Sequence, residues 1–147
     1  MTTVNLKINH IVLRYDNVPQ CVLSPKEFYR TTVPLRGDVV SKDFFWRRSI
    51  TPKSLEKFIA KELIPRFGDD MKRMADCGLR PVLHVDYVGR GNGVFWVSLD
   101  SATVHRLAKG GSGIDICVRK KGKEYVAGLT ATSLHHLSRF KFSIELA

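Results

Sequence analysis

A single long stretch of this chain, Leu55 to Gly78, repeats its apolar residues with the period of a helix, while most other apolar runs alternate or cluster as strands do. Leu55, Phe58, Ile59 and Leu63 recur at helical spacing, and Phe67, Met71, Met74 and Ala75 continue the pattern to the helix-stopping Gly78. Thr51-Pro52 supplies a cap followed by proline, and Pro65 predicts a kink or two helices in succession.

Around that helix the strand signals accumulate. Leu6, Ile8 and His10 alternate with Lys7 and Asn9 before the apolar triplet Ile11-Val12-Leu13, which predicts a strand that begins half-exposed and ends buried, closed by a turn at Asp16-Asn17-Val18-Pro19. Ser24-Pro25-Lys26-Glu27 has the form of a capping box and predicts a short helix over Phe28 and Tyr29, ended by Pro34. Val39 to Ile50 reads as a strand carrying Phe44-Phe45-Trp46. Pro81–Val88 and Val94–Leu99, joined by Gly89-Arg90-Gly91-Asn92-Gly93, predict a hairpin. Asp100 caps a short helix with Val104, Leu107 and Ala108, and Gly110-Gly111-Ser112-Gly113 releases the chain into a strand at Ile114–Val118. A basic turn then leads to Tyr125-Val126-Ala127, a helical turn at Ser133–Leu137 and a closing strand at Phe140–Leu146. No repeat or polar linker divides residues 1–147, so the expectation is a single α+β domain. Its sheet should be largely antiparallel, of roughly five to seven strands, with helices packed on one face.

Charge narrows the partners. Lys and Arg number 24 against 14 Asp and Glu, a formal net charge of +10. That excess concentrates polyanions near the surface and speeds encounter with them. Cys21, Cys77 and Cys117 are odd in number and lack CxxC spacing, which predicts reduced thiols in place of a disulfide framework. With no spanning apolar run and no signal-peptide pattern at the N-terminus, the expected location is the cytoplasm, without membrane insertion.

Catalytic and cofactor signatures are missing. His10, His84, His105, His135 and His136 show no HExxH or zinc spacing, there is no GxSxG elbow, and neither glycine-rich loop is a P-loop or dinucleotide fingerprint. Residues 113–126 resemble the core hairpin of restriction-endonuclease-like nucleases, but Gly128-Leu129-Thr130 stands where the second carboxylate and lysine would be needed. The reading therefore leans away from an enzyme and calls for no metal and no cofactor. An enzymatic alternative would need His84, Asp86 and Asp115 to assemble in space.

The binding reading rests on Arg47 and Arg48 beside Trp46, on the stripe Lys53, Lys57 and Lys61, and on Arg119, Lys120, Lys121 and Lys123 in a tight turn. Cations contact phosphates, and Trp46 is the candidate for stacking on a base, which suits single-stranded or irregular RNA. The partner expected is nucleic acid, a nucleoprotein complex or an acidic protein. The alternative is a small inhibitor or immunity protein of bacterial or phage origin that docks on a protein target through exposed aromatics and an arginine.

Arg36-Gly37-Asp38, Trp46 with Ser49, Leu63-Ile64-Pro65 ahead of Met74 and Gly78, Phe95-Trp96-Val97-Ser98-Leu99 and Gly113-Ile114-Asp115-Ile116 together resemble a bacterial and phage family described only as domain of unknown function 4279, over residues 6–118. The resemblance implies a small α+β domain with a binding or inhibitory role. It carries over no catalytic residue.

Overall fold

The computed structural model describes residues 5–19, 29–30, 39–50, 55–120, 122–130, 133–134 and 140–146. In chain order these form β1 (Asn5–Pro19), β2 (Tyr29–Arg30), β3 (Val39–Ile50), α1 (Leu55–Phe58), a π-helical turn (Ile59–Leu63), α2 (Ile64–Asp76), β4 (Val82–Arg90), β5 (Gly93–Leu99), α3 (Ser101–Lys109), β6 (Gly113–Lys120), β7 (Lys123–Leu129) and β8 (Phe140–Leu146). The fold is α+β. Six strands make one sheet in the order β2-β3-β1-β4-β6-β7, and β5 pairs with β8 in a second.

Every neighbouring pair is antiparallel except β4 with β6. A parallel pair needs a long crossover, which β5 and α3 supply. The expected hairpin of β4 with β5 does not form. A strand has two hydrogen-bonding edges, and those of β4 are taken by β1 and β6. Gly91 and Gly93, at φ +104° and +122°, turn the chain away, and β5 pairs instead with β8, from Gly93↔Leu146 to Leu99↔Phe140.

Two other expectations change. β1 continues through Asp16 to Pro19 with a register shift between Tyr15 and Val18, where a turn was predicted. Tyr29 pairs with Asp43 in β2 and is not helical; the capping box at 24–27 lies outside the described residues, as do Cys21 and the segment 135–139.

The interruption at Pro65 takes the form of the π-helical turn. Proline lacks an N–H and its ring crowds the carbonyl four residues back, that of Lys61. The wider turn just before it relieves this, with the Ile64 N–H donating to Ile59 O, five residues back. Pro65 then sits in the first turn of α2, where a missing N–H costs nothing. Gly78, at φ +80°, ends the helix by donating to Ala75 O at 2.9 Å.

The inner face of the large sheet, with Leu13, Leu83, Val85, Ile114, Ile116 and Val118, meets Leu63, Phe67, Met71 and Met74 of the helices and Val97 and Leu99 of β5 in one cluster. Phe44, Trp46, Phe58 and Phe67 pack through tilted and edge contacts with centroids 4.5–5.7 Å apart. Each such aromatic pair adds about 0.5–1.5 kcal/mol beyond its buried area. Asp100 caps α3 as predicted, accepting from Thr103 N at 2.8 Å, and its own N–H donates to Glu56 Oε1 at 2.9 Å. The hydrogen bonds from Thr103 hold the Asp100 carboxyl below the usual range.

Candidate anion-binding groove and the polar face of the sheet

The end of α3 comes close to α2 at Gly110, where a Cβ would come within 2.9 Å of Met71 Cε. On α2 itself Gly68 leaves the surface beside Ile64 open, since a Cβ there would lie 3.2 Å from Ile64 Cγ2. The result is a groove of about 330 Å³ lined by Ile64, Gly68, Asp69, Lys72, His105, Arg106, Lys109 and Gly110. Its lining sets Lys72, Arg106 and Lys109 against one carboxylate, Asp69, and these three cations are exposed. Arg106 and Lys109 also occupy the last turn of α3, where cations oppose the helix dipole; that alone would favour them there. Lys72, from the other helix, is not explained that way.

Lys57 and Lys61 belong to the same run of helices and are both exposed. Lys61 lines a second, shallower groove of about 400 Å³ with Trp46, Glu62, Pro65 and Arg66, whose guanidinium lies 4.5 Å from the centroid of Phe44.

The outer face of the sheet has a different character. A bulge at Asn9, between the pairs Ile8↔Tyr87 and His10↔Asp86, lets Ile8 and Ile11 both face the core and turns His10 outward. Asn9 Nδ2 donates to Asp86 Oδ2 at 3.3 Å, and His10 Nδ1 lies 3.4 Å from the same oxygen. Arg119 Nε is 3.2 Å from Asp86 Oδ1, an ion contact without hydrogen-bond alignment, since that oxygen accepts no hydrogen bond. Asp86 is buried, at 3% exposure. His10 also stacks on Phe45, centroids 5.0 Å apart.

Two residues along β4, His84 Nδ1 lies 3.4 Å from Asp115 Oδ2. Burial pushes the His84 imidazole below its ordinary pKa while Asp115 pulls against it. Gly128 makes room for this pair: a Cβ there would sit 2.1 Å from Asp115 Oδ1. Cys117 donates to Glu124 Oε1 at 3.2 Å, and burial together with that carboxylate pushes its thiol up to about 11. A thiol so placed is a poor nucleophile at neutral pH. His84, Asp86 and Asp115 are thus brought to one sheet face, yet no group of three or more His, Cys, Asp or Glu among the described residues could hold a metal ion.

The residues singled out in the sequence are dispersed. Lys57 and Lys61 lie on the helical layer; Arg119 lies on the opposite, outer face of the sheet, with Lys123 exposed at the start of β7. Two need correction. Lys120 is 4% exposed and its Nζ donates to Asn92 Oδ1, because the strand period that buries Ile114, Ile116 and Val118 also turns Lys120 inward. Trp46, at 8% exposure, is packed among Phe44, Phe58 and Phe67, so its ring is no platform for a base. Arg47 and Arg48 belong to β3, Arg47 in register with His10, while Lys53 and Lys121 lie outside the described residues. Sequence reasoning missed Lys72, His105, Arg106 and Lys109, which come from two helices far apart in the chain. The exposed i, i+4 and i, i+3 placement of His105, Arg106 and Lys109 on α3 is the one local signal, and none marks Lys72.

Cys77 and Cys117 are free thiols, and no helix among the described residues is long and apolar enough to cross a membrane. Comparison with protein families, curated proteins and solved structures finds no match for this chain. Function therefore has to come from the chemistry of the surface itself.

Proposed function

We propose that the chain is a non-enzymatic polyanion-binding protein of the cytoplasm that engages nucleic acid, free or in a nucleoprotein complex, through its helical layer. The observation that carries this reading is the convergence of Lys72, Arg106 and Lys109 on the α2–α3 groove with Asp69 as the sole carboxylate of its lining. Lys57 and Lys61 widen the footprint on the same layer. Such a surface neutralises phosphates and reads no base edges, so binding should be nearly independent of sequence and should fall steeply with salt. With Trp46 buried, base stacking plays no part at this surface, and single strands and duplexes serve alike.

Fluorescence anisotropy against a generic single strand and a generic duplex over a salt series tests this. Binding that is absent at low salt, or indifferent to salt, overturns it. A second reading, docking on a protein target, is favoured by Val94 and Trp96, which are 46% and 56% exposed on the outer side of β5. A stoichiometric protein complex that survives nuclease treatment would support it instead.

A further inference from the structure

Among the described residues, the large sheet ends in a strand, β7, that no other strand pairs on its outer side. β7 is bonded to β6 on one side through seven consecutive register pairs, Ile114↔Leu129 to Lys120↔Lys123, with no bulge. It contains no proline, and among the described residues none of its groups takes part in another backbone hydrogen bond, which leaves its outer row of N–H and C=O groups unpaired there. Natural sheets usually blunt such an edge with bulges, proline, inward charges or a covering element. At the middle of this one, Val126 is 66% exposed.

The side chains along the outer face of that edge have a definite pattern. Glu124 and Val126 are exposed, and over the side-chain-free Gly128 lies the Asp115 carboxylate, itself 41% exposed. The edge therefore reads carboxylate, apolar, carboxylate at alternate positions. Arg119, in register with Glu124 on this face, has its guanidinium against Asp86. A second copy of the chain fits badly: antiparallel pairing centred on Val126 would set the partner's Glu124 against Asp115, carboxylate to carboxylate.

We infer that β7 is a docking edge for an extended, basic segment of a partner protein, which adds as a strand beside it. Backbone hydrogen bonds supply the affinity, and the side chains choose the sequence: a cation opposite Glu124, an apolar residue opposite Val126 and a second cation opposite Gly128, within reach of Asp115. The chain's overall positive charge does not forbid this, since at physiological ionic strength fields are screened within about 8 Å and local carboxylates decide.

The test uses a fluorescein-labelled heptapeptide with valine at its centre and arginine two residues to either side, threonine elsewhere, titrated with the full chain. Binding is expected, weakened roughly fivefold to tenfold by Glu124→Lys and equally by raising the salt, and absent for the peptide with glutamate in place of arginine. Two further peptides carry N-methyl groups on one or the other alternating set of amides. One set should abolish binding and the other be tolerated, because only every second peptide amide faces the edge. Amide exchange at alternate residues of 123–129 should slow on binding. No binding to the wild-type chain, equal tolerance of both N-methylated peptides, or a concentration-dependent dimer of the chain that excludes the peptide would each overturn the inference.

Discussion

Removing the three cations of the α2–α3 groove together, as Lys72→Ala/Arg106→Ala/Lys109→Ala, separates a phosphate-binding surface from a generally basic one. If each reaches a phosphate, each contributes about 0.9 to the slope of log K against log salt on a duplex, so the variant's slope should be shallower by about 2.7. Between about 50 and 200 mM salt the wild-type chain should then lose about 40-fold more affinity than the variant does. Arg106 and Lys109 lie in the last turn of α3, so their loss also costs about 0.3–1 kcal/mol each of helix stability; circular dichroism must first show the variant folded at the assay temperature. Anisotropy on a generic duplex reads the slope, with Lys123→Ala on the sheet edge as the comparison, which should change it little. A triple variant with the wild-type slope would refute the groove, and a Lys123→Ala variant that alone flattens it would move the surface to the β6–β7 turn.

Three further outcomes follow from the same geometry. Lys120→Ala removes a buried stem, while exposed Asn92 Oδ1 can bond water instead, so it should cost roughly 1–3 kcal/mol through lost packing and lower the urea midpoint by about 0.5 M or more; an unchanged midpoint would contradict its burial. Gly128→Ala drives the Asp115 carboxylate off its seat, so His84, deprived of the group that opposes its burial, should titrate by NMR at a still lower pH than in the parent chain. An unchanged or higher value would refute the steric argument. Because the folded state holds the His84 pKa below its ordinary value, the unfolded chain takes up a proton first as the pH falls. Stability should be intact above about 6.5 and decline as the pH drops from there towards the native pKa, and His84→Gln should remove that part of the slope in urea titrations at successive pH values.

Most elements were legible because local chemistry fixes them. The Asp100 cap, the strand runs at 39–50, 114–118 and 140–146 and the break near Pro65 all depend on neighbours within a turn or two. The pairing of β5 with β8 and the parallel alignment of β4 with β6 depend on which edges other strands have already taken, and glycine-rich 89–93 looks the same whether or not its flanking strands pair. The bulge at Asn9 hid the orientation of His10, although the odd spacing between buried Ile8 and Ile11 carries its trace. For the candidate site, charge runs misled. Within Arg119–Lys123, strand alternation sends Arg119 and Lys120 to opposite faces, while the groove draws its cations from two helices that only the fold brings together.

The position of β1 between β3 and β4 also orders events during synthesis. β1, the earliest in chain order of the described strands, occupies the middle of the sheet, yet one of its two neighbours, β4, leaves the ribosome only after β3 and the long helix have been made. Until then Ile8, Ile11 and Leu13 have no complete core to enter, and the nascent sheet has a bare edge along a long apolar strand. Such a chain cannot fold piecemeal from its N-terminus, so in the cell its half-made form should be a client of ribosome-associated holdases, and translational pauses placed before β4 should lower its soluble yield.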